Sequence, residues 1–193
     1  TKQGRPGYGV DIKIKDDEGN DLPRDGKTAG NLWVKGPWIC KGYMNILESD
    51  VHKEDGWFLT GDVANIDEDG YMQITDRVKD VIKSGGEWIS SLQIEDIVSK
   101  CKGVKEVAAI GVKDSKWGER PIIIVAKIAR ENTEDINKRI IERISNEIKK
   151  GALSKWAMPD KIEYVKEIEK TSVGKINKKL LREKYKFINT NEK

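Results

Sequence analysis

The period of the hydrophobic pattern changes near Asp76-Arg77, and that change constrains the fold more than any other feature of the sequence. Before it, apolar residues recur every second position in short bursts. Val10-Asp11-Ile12-Lys13-Ile14 alternates as a half-buried strand does, and Asn31-Leu32-Trp33-Val34-Lys35 reads as another, closed by Gly36-Pro37. Turn residues punctuate at Asp16-Asp17-Glu18-Gly19-Asn20, Asp25-Gly26-Lys27, Asp55-Gly56 and Asp67-Glu68-Asp69-Gly70. After it, helical spacing enters. Ile136, Ile140, Ile141, Ile144 and Ile148 form one stripe of a helix over about 134–150, with Thr133 as its expected cap. Ser91 is the expected cap of a helix over about 92–101. Val107–Val112 and the β-branched Ile122–Ala126 read as buried strands, Lys161–Val165 as an alternating one, and a basic helix covers about 178–185. The sequence therefore predicts a β-rich segment over 1–76 and an α+β domain over 77–193.

Charge divides the chain at the same place. Residues 1–76 carry 9 basic and 15 acidic side chains, and residues 77–193 carry 27 and 18. The basic half is a plausible home for a polyanionic ligand, but on charge alone a lysine-rich solvated surface is the preferred reading. No helix-turn-helix, RNA-binding sheet motif or zinc pattern accompanies the charge, so a nucleic-acid partner is not expected. No apolar run approaches the ~20 residues that span a bilayer. No secretory signal is visible either, so a cytoplasmic location is expected. Cys40 and Cys101 have no metal-ligand spacing, so no metal site is assigned. His52, the single histidine, sits among Asp50, Lys53, Glu54 and Asp55 and reads as a solvated loop residue.

Four blocks carry the chemistry: Gly56-Trp57-Phe58-Leu59-Thr60-Gly61-Asp62; Thr75-Asp76-Arg77-Val78-Lys79-Asp80 running on to Ser84-Gly85-Gly86-Glu87-Trp88-Ile89; Lys116-Trp117-Gly118-Glu119-Arg120-Pro121; and Lys170-Thr171-Ser172-Val173-Gly174-Lys175-Ile176. Each alone is short enough to recur by chance, whereas their order and spacing are specific. In that order the sequence resembles the adenylate-forming superfamily of acyl-CoA synthetases, peptide-synthetase adenylation domains and firefly luciferase. The stretch from Asp76 to Glu95 is most similar to medium- and long-chain fatty acyl-CoA synthetases of bacteria and archaea.

The resemblance covers the chain from Gly4 to about Tyr185. It implies that residues 1–76 end a large N-terminal domain and that residues 77–193 form a small mobile domain, with a central antiparallel sheet flanked by helices. It implies an ATP-dependent, AMP-forming activation of a carboxylic acid, of fatty type, as an acyl-adenylate, followed by transfer to CoA, with Mg2+ accompanying ATP. Both steps develop negative charge on oxygen, which a fixed cation stabilises. By resemblance that cation is Lys175. Asp62 would accept from the ribose hydroxyls, and Arg77 would reach ribose or phosphates; a surface ion pair of Arg77 with Asp80 is the plainer alternative. Lys79 falls at the family's hinge. Gly85, Gly86 and Glu87 would line the path of the CoA arm, and a plain hairpin turn is the alternative for the two glycines. Lys83 faces the same step. The Trp117-Gly118-Glu119 block fits either the CoA side or domain packing.

The sequence departs from the family at Trp88, where many synthetases carry arginine, at Cys101-Lys102 in place of His-Pro, and at Ile168-Glu169 in place of Leu-Pro. The family's phosphate loop and acyl pocket are not in this sequence, so the chain alone is expected to be inactive as a ligase. Transfer to a carrier protein instead of free CoA is the alternative outcome of the second step.

Overall fold

The computed structural model is described for residues 2–44, 52–53 and 56–187, and residues 11–15 form the first of the ten strands among these described residues. Backbone contacts divide the chain into two units, 1–79 and 80–193.

The first unit is a five-stranded antiparallel sheet built from β1 (Asp11–Lys15), β2 (Gly30–Lys35), β3 (His52–Lys53), β4 (Trp57–Ile66) and β5 (Met72–Arg77). The ten-residue β4 pairs with β2 along one edge, and with β3 then β5 along the other. Strand alternation sends Ile12, Ile14, Leu32, Ala64 and Ile66 into one small core. The β4–β5 ladder slips between Val63 and Ala64, a bulge that changes the twist next to Asp62 and Arg77. His52 departs from the expected solvated loop. It lies in β3, with Nε2 2.7 Å from the Cys40 carbonyl and its ring against Phe58. Its expected neighbours Asp50, Glu54 and Asp55, and with Asp55 part of one expected turn, lie outside the described residues.

The second unit is α+β. Its strands are β6 (Ile82–Ser84), β7 (Glu87–Ile89), β8 (Val104–Asp114), β9 (Gly118–Lys127) and β10 (Lys161–Val165). Its helices are α1 (Ser91–Ser99), α2 (Thr133–Lys149) and α3 (Lys178–Lys184), with a 3-10 turn at Lys155–Ala157. β9 is central, antiparallel to β8 and β6 but parallel to β10. The continuous apolar run of β9 follows from burial on both faces. Ile123 and Val125 join Ile94, Val98, Ile136, Ile140 and Ile144 under α1 and α2. Ile122, Ile124 and Ala126 join Leu181 and Tyr185 under α3. Each fully buried isoleucine contributes about 1.5–3 kcal/mol of transfer free energy. Ile141 of the expected stripe faces outward.

Both expected caps fall one residue late. Ser90 caps α1, accepting from the Gln93 amide at 3.1 Å, and Asn132 caps α2, accepting from the Glu134 amide at 2.7 Å. Ser91 is fully buried, and its hydroxyl accepts from Lys178 Nζ at 2.7 Å, so it is not available to the helix end.

Candidate ligand-binding and catalytic residues

Asp62 and Arg77 face each other across β4 and β5, the register the bulge sets. Arg77 Nε lies 2.9 Å from Asp62 Oδ1, with the arginine side chain 62% exposed and the carboxylate 20%. The ion pair of Arg77 thus forms with Asp62, not with Asp80, which instead holds Arg182 at 2.9 Å within the second unit. Asp76 is buried and accepts from the Arg77 amide at 2.8 Å, fixing the end of β5. The arrangement offers the Asp62 carboxylate beside a largely exposed guanidinium. Such a pair can receive hydroxyl donors and an anionic oxygen side by side. Lys79 is exposed, in the turn after β5, and the boundary between the two units falls between it and Asp80.

Gly85 and Gly86 are the two central residues of the β6–β7 hairpin, with φ of +60° and +81°. A two-residue hairpin loop with both φ positive strongly favours glycine, so hairpin geometry by itself accounts for the pair. Gly85 carries a second constraint. A Cβ there would lie 2.4 Å from the Trp156 ring, whereas one on Gly86 would meet open space. Glu87 is exposed, and Lys83 Nζ lies 4.4 Å from the centre of the Trp88 ring.

Four successive residues of the third sequence block hold this hairpin. The Trp117 carbonyl accepts from the Gly85 amide at 3.0 Å, and Gly118 pairs with Ser84. Glu119 Oε2 accepts from the Lys83 amide at 2.9 Å. Arg120 Nη1 donates to the Ser84 hydroxyl at 3.0 Å. Its remaining donors go to Asp160 Oδ2 and Oδ1 at 3.0 and 2.6 Å, and to the Trp156 and Met158 carbonyls. Arg120 lies within a block the sequence singles out. Its partner Asp160, forty residues on, carries no local signal.

Lys175 sits on a short hairpin before α3. Lys170 bridges to Ile176, the Thr171 amide donates to the Lys175 carbonyl at 2.7 Å, and the Lys175 amide donates to Thr171 Oγ1 at 3.3 Å. Gly174, at φ +79°, completes the bend. Around it Lys170 pairs with Glu106, Lys178 with Glu95, Arg182 with Asp80 and Lys184 with Glu169. Lys175 itself is exposed and has no ion-pair partner among the described residues. The hydrogen bond from Lys184 holds the Glu169 carboxyl below its ordinary pKa, and burial pushes the Cys101 thiol up, away from reactivity. Asp62 and Arg77 are therefore brought together in the first unit, while in the second Lys175 and the Gly85-Gly86-Glu87 segment stand on separate hairpins.

Comparison with known proteins places this architecture. Residues 93–175 match the AMP-binding enzyme C-terminal domain, a span that ends on Lys175 and begins after Gly86. A 3-methylmercaptopropionyl-CoA ligase of Ruegeria lacuscaerulensis is 44% identical over 95% of this chain and 33% of its own length. A medium-chain-fatty-acid–CoA ligase of Ectopseudomonas oleovorans is 43% identical over 95% of this chain and 32% of its own. The crystal structure of ATP-bound MatB from Rhodopseudomonas palustris superposes with a TM-score of 0.74 at 32% identity, over 96% of this chain and 36% of that one. The chain spans about a third of the length of these relatives.

Proposed function

We propose that this chain, whose residues 93–175 match the AMP-binding enzyme C-terminal domain, supplies the C-terminal third of an AMP-forming acyl-CoA ligase. The observation that carries the reading is the setting of Lys175. Its hairpin is closed by backbone hydrogen bonds and flanked by paired lysines, so an exposed cation is held on a defined backbone.

In the first step a carboxylate oxygen attacks the α-phosphorus of ATP, the bond to the β-phosphate oxygen breaks and pyrophosphate leaves. Lys175 is a compact charge suited to the oxygens on which negative charge builds. Asp62 accepts from the ribose hydroxyls, and Arg77, beside it, reaches ribose or phosphate; the exposed guanidinium supports this. Mg2+, when bound with ATP, would offset charge on the phosphates. Among the described residues no group of three or more His, Cys, Asp or Glu side chains is placed to hold a metal, and none is assigned to it. In the second step the CoA sulfur attacks the acyl carbon, the bond to the AMP oxygen breaks and the thiol proton passes to solvent. The Gly85-Gly86-Glu87 hairpin borders the pantetheine path, supported by the open space at Gly86. Lys79 is the hinge about which residues 80–193 exchange the two steps, supported by the unit boundary beside it. The acid is of fatty type, supported by medium- and long-chain fatty-acid–CoA ligases at 43% and 41% identity.

The test separates the half-reactions in the full-length ligase. Carboxylate-dependent exchange of pyrophosphate into ATP reports the first, and conversion of preformed acyl-adenylate by CoA reports the second. Lys175→Ala is expected to lose exchange and keep thioester formation, and Gly86→Leu to do the reverse. Variants that both behave as wild type in both assays would remove these residues from the site.

A further inference from the structure

We propose that Arg120 is a positioning residue for the CoA step, acting through Ser84 on the Gly85-Gly86 turn. This inference rests on the CoA-ligase reading above. Arg120 is 9% exposed and Ser84 fully buried, so neither reaches a ligand directly. What they share is a network. The guanidinium joins three separate segments: Ser84 at the last residue of β6, the 3-10 turn through the Trp156 and Met158 carbonyls, and Asp160 at the entry to β10. All five of its N–H donors have a partner, two of them on one carboxylate in fork geometry.

The consequence falls on Gly85. Its backbone is packed against the ring of Trp156, whose own carbonyl accepts from Arg120, and its amide is held by the Trp117 carbonyl. The Trp156 and Trp117 rings are themselves 4.5 Å apart. The turn is therefore clamped from below by Trp156, from the side by residues 117–119 and at its root by Arg120. Its other side, at Gly86, is open. A turn clamped on one side and open on the other has the shape of a preset wall, and such a wall acts only when something passes its open face. Lysine cannot replace this arginine, because an ammonium has three donors and no planar fork.

In the full-length ligase Arg120→Lys is expected to leave pyrophosphate exchange unchanged, and to raise KM for CoA while lowering thioester kcat/KM by up to about 100-fold, the scale of a misplacement of about 1 Å. Ser84→Ala removes one of the acceptors of Arg120 and is expected to shift KM for CoA in the same direction by less. Thermal melts of both variants check that they fold. Two results overturn the inference: both half-reactions falling together, which makes Arg120 a general support of the fold, or KM for CoA remaining at the wild-type value in both folded variants. Absence of exchange in the wild-type ligase is a different failure, since it removes the adenylation reading itself before Arg120 is tested.

Discussion

Lys178 Nζ is buried 2.7 Å from the Glu95 carboxylate and 2.7 Å from the Ser91 hydroxyl, so the first residue of α3 is fastened to α1 beneath the hairpin of Lys175. Glu95 also accepts from the Ala109 amide at 2.8 Å, which ties the same pair to β8.

Removing one side of that pair strands the other. Lys178→Met is expected to destabilise the second unit by about 3 kcal/mol, the lower part of the range for breaking a buried ion pair, because Glu95 keeps its bond to Ala109. Lys178→Met with Glu95→Gln is expected to recover part of the loss. With two units in the chain a single unfolding free energy is not defined, so the measurement is native-state hydrogen exchange of β8 and β9 amides. Unchanged protection in the single variant would show that the pair contributes nothing net.

The two glycines of the β6–β7 turn separate by what surrounds them. Both have positive φ, which costs an alanine roughly 1–2 kcal/mol. Gly85→Ala also drives a Cβ into the Trp156 ring, while Gly86→Ala meets nothing. Gly85→Ala is expected to cost clearly more stability than Gly86→Ala and to alter the Trp156 environment, read as a change in near-ultraviolet circular dichroism. Equal costs would mean that the ring moves aside freely.

Much of this organisation is legible in sequence because it is local. The alternation of Ile12 and Ile14, the β-branched run at Ile122–Ala126 and the stripe through Ile136, Ile140 and Ile144 each report burial within one element. The exposed Ile141 shows the limit, since period alone does not say how wide the covered face is. The cap of α1 is Ser90 and not Ser91, whose hydroxyl is taken up by Lys178, 87 residues on. The parallel pairing of β10 and the bonds from Arg120 to Asp160 depend on topology, and no window of sequence contains both partners.

Acid is expected to loosen the hairpin of Lys175. Glu169 pairs with Lys184 at 2.6 Å, and its carbonyl accepts from the Asn177 amide at the far side of the hairpin. The hydrogen bond from Lys184 lowers the Glu169 pKa from 4.5 and raises that of Lys184 from 10.5. A carboxylate with a depressed folded pKa contributes stability above its unfolded pKa and loses it as pH falls through the folded value. A raised lysine contributes below its unfolded pKa and loses it as pH rises through the folded one. The pair is thus intact between those limits. Both side chains are partly exposed, so the contribution is below about 1 kcal/mol. Glu169→Gln is expected to flatten the fall of hydrogen-exchange protection at Asn177 below pH 4.5, and an unchanged acid profile would exclude the pair as its cause.

The pair of Asp62 and Arg77 distinguishes a structural ion pair from a ligand site. An exposed pair of this kind contributes under about 1 kcal/mol to folding, so Asp62→Asn is expected to leave the thermal melt nearly unchanged. Hydrogen bonds from ribose hydroxyls to a charged carboxylate contribute about 1.5–3 kcal/mol each. Losing that strength in the transition state lowers kcat/KM for ATP by roughly 10- to 100-fold, since about 1.4 kcal/mol is a factor of ten. The full-length variant is therefore expected to exchange pyrophosphate weakly while folding normally, and to discriminate less between ATP and its deoxyribose forms. A variant that melts early but exchanges pyrophosphate with wild-type kcat/KM would make Asp62 a brace for β5 and leave the ribose to other groups.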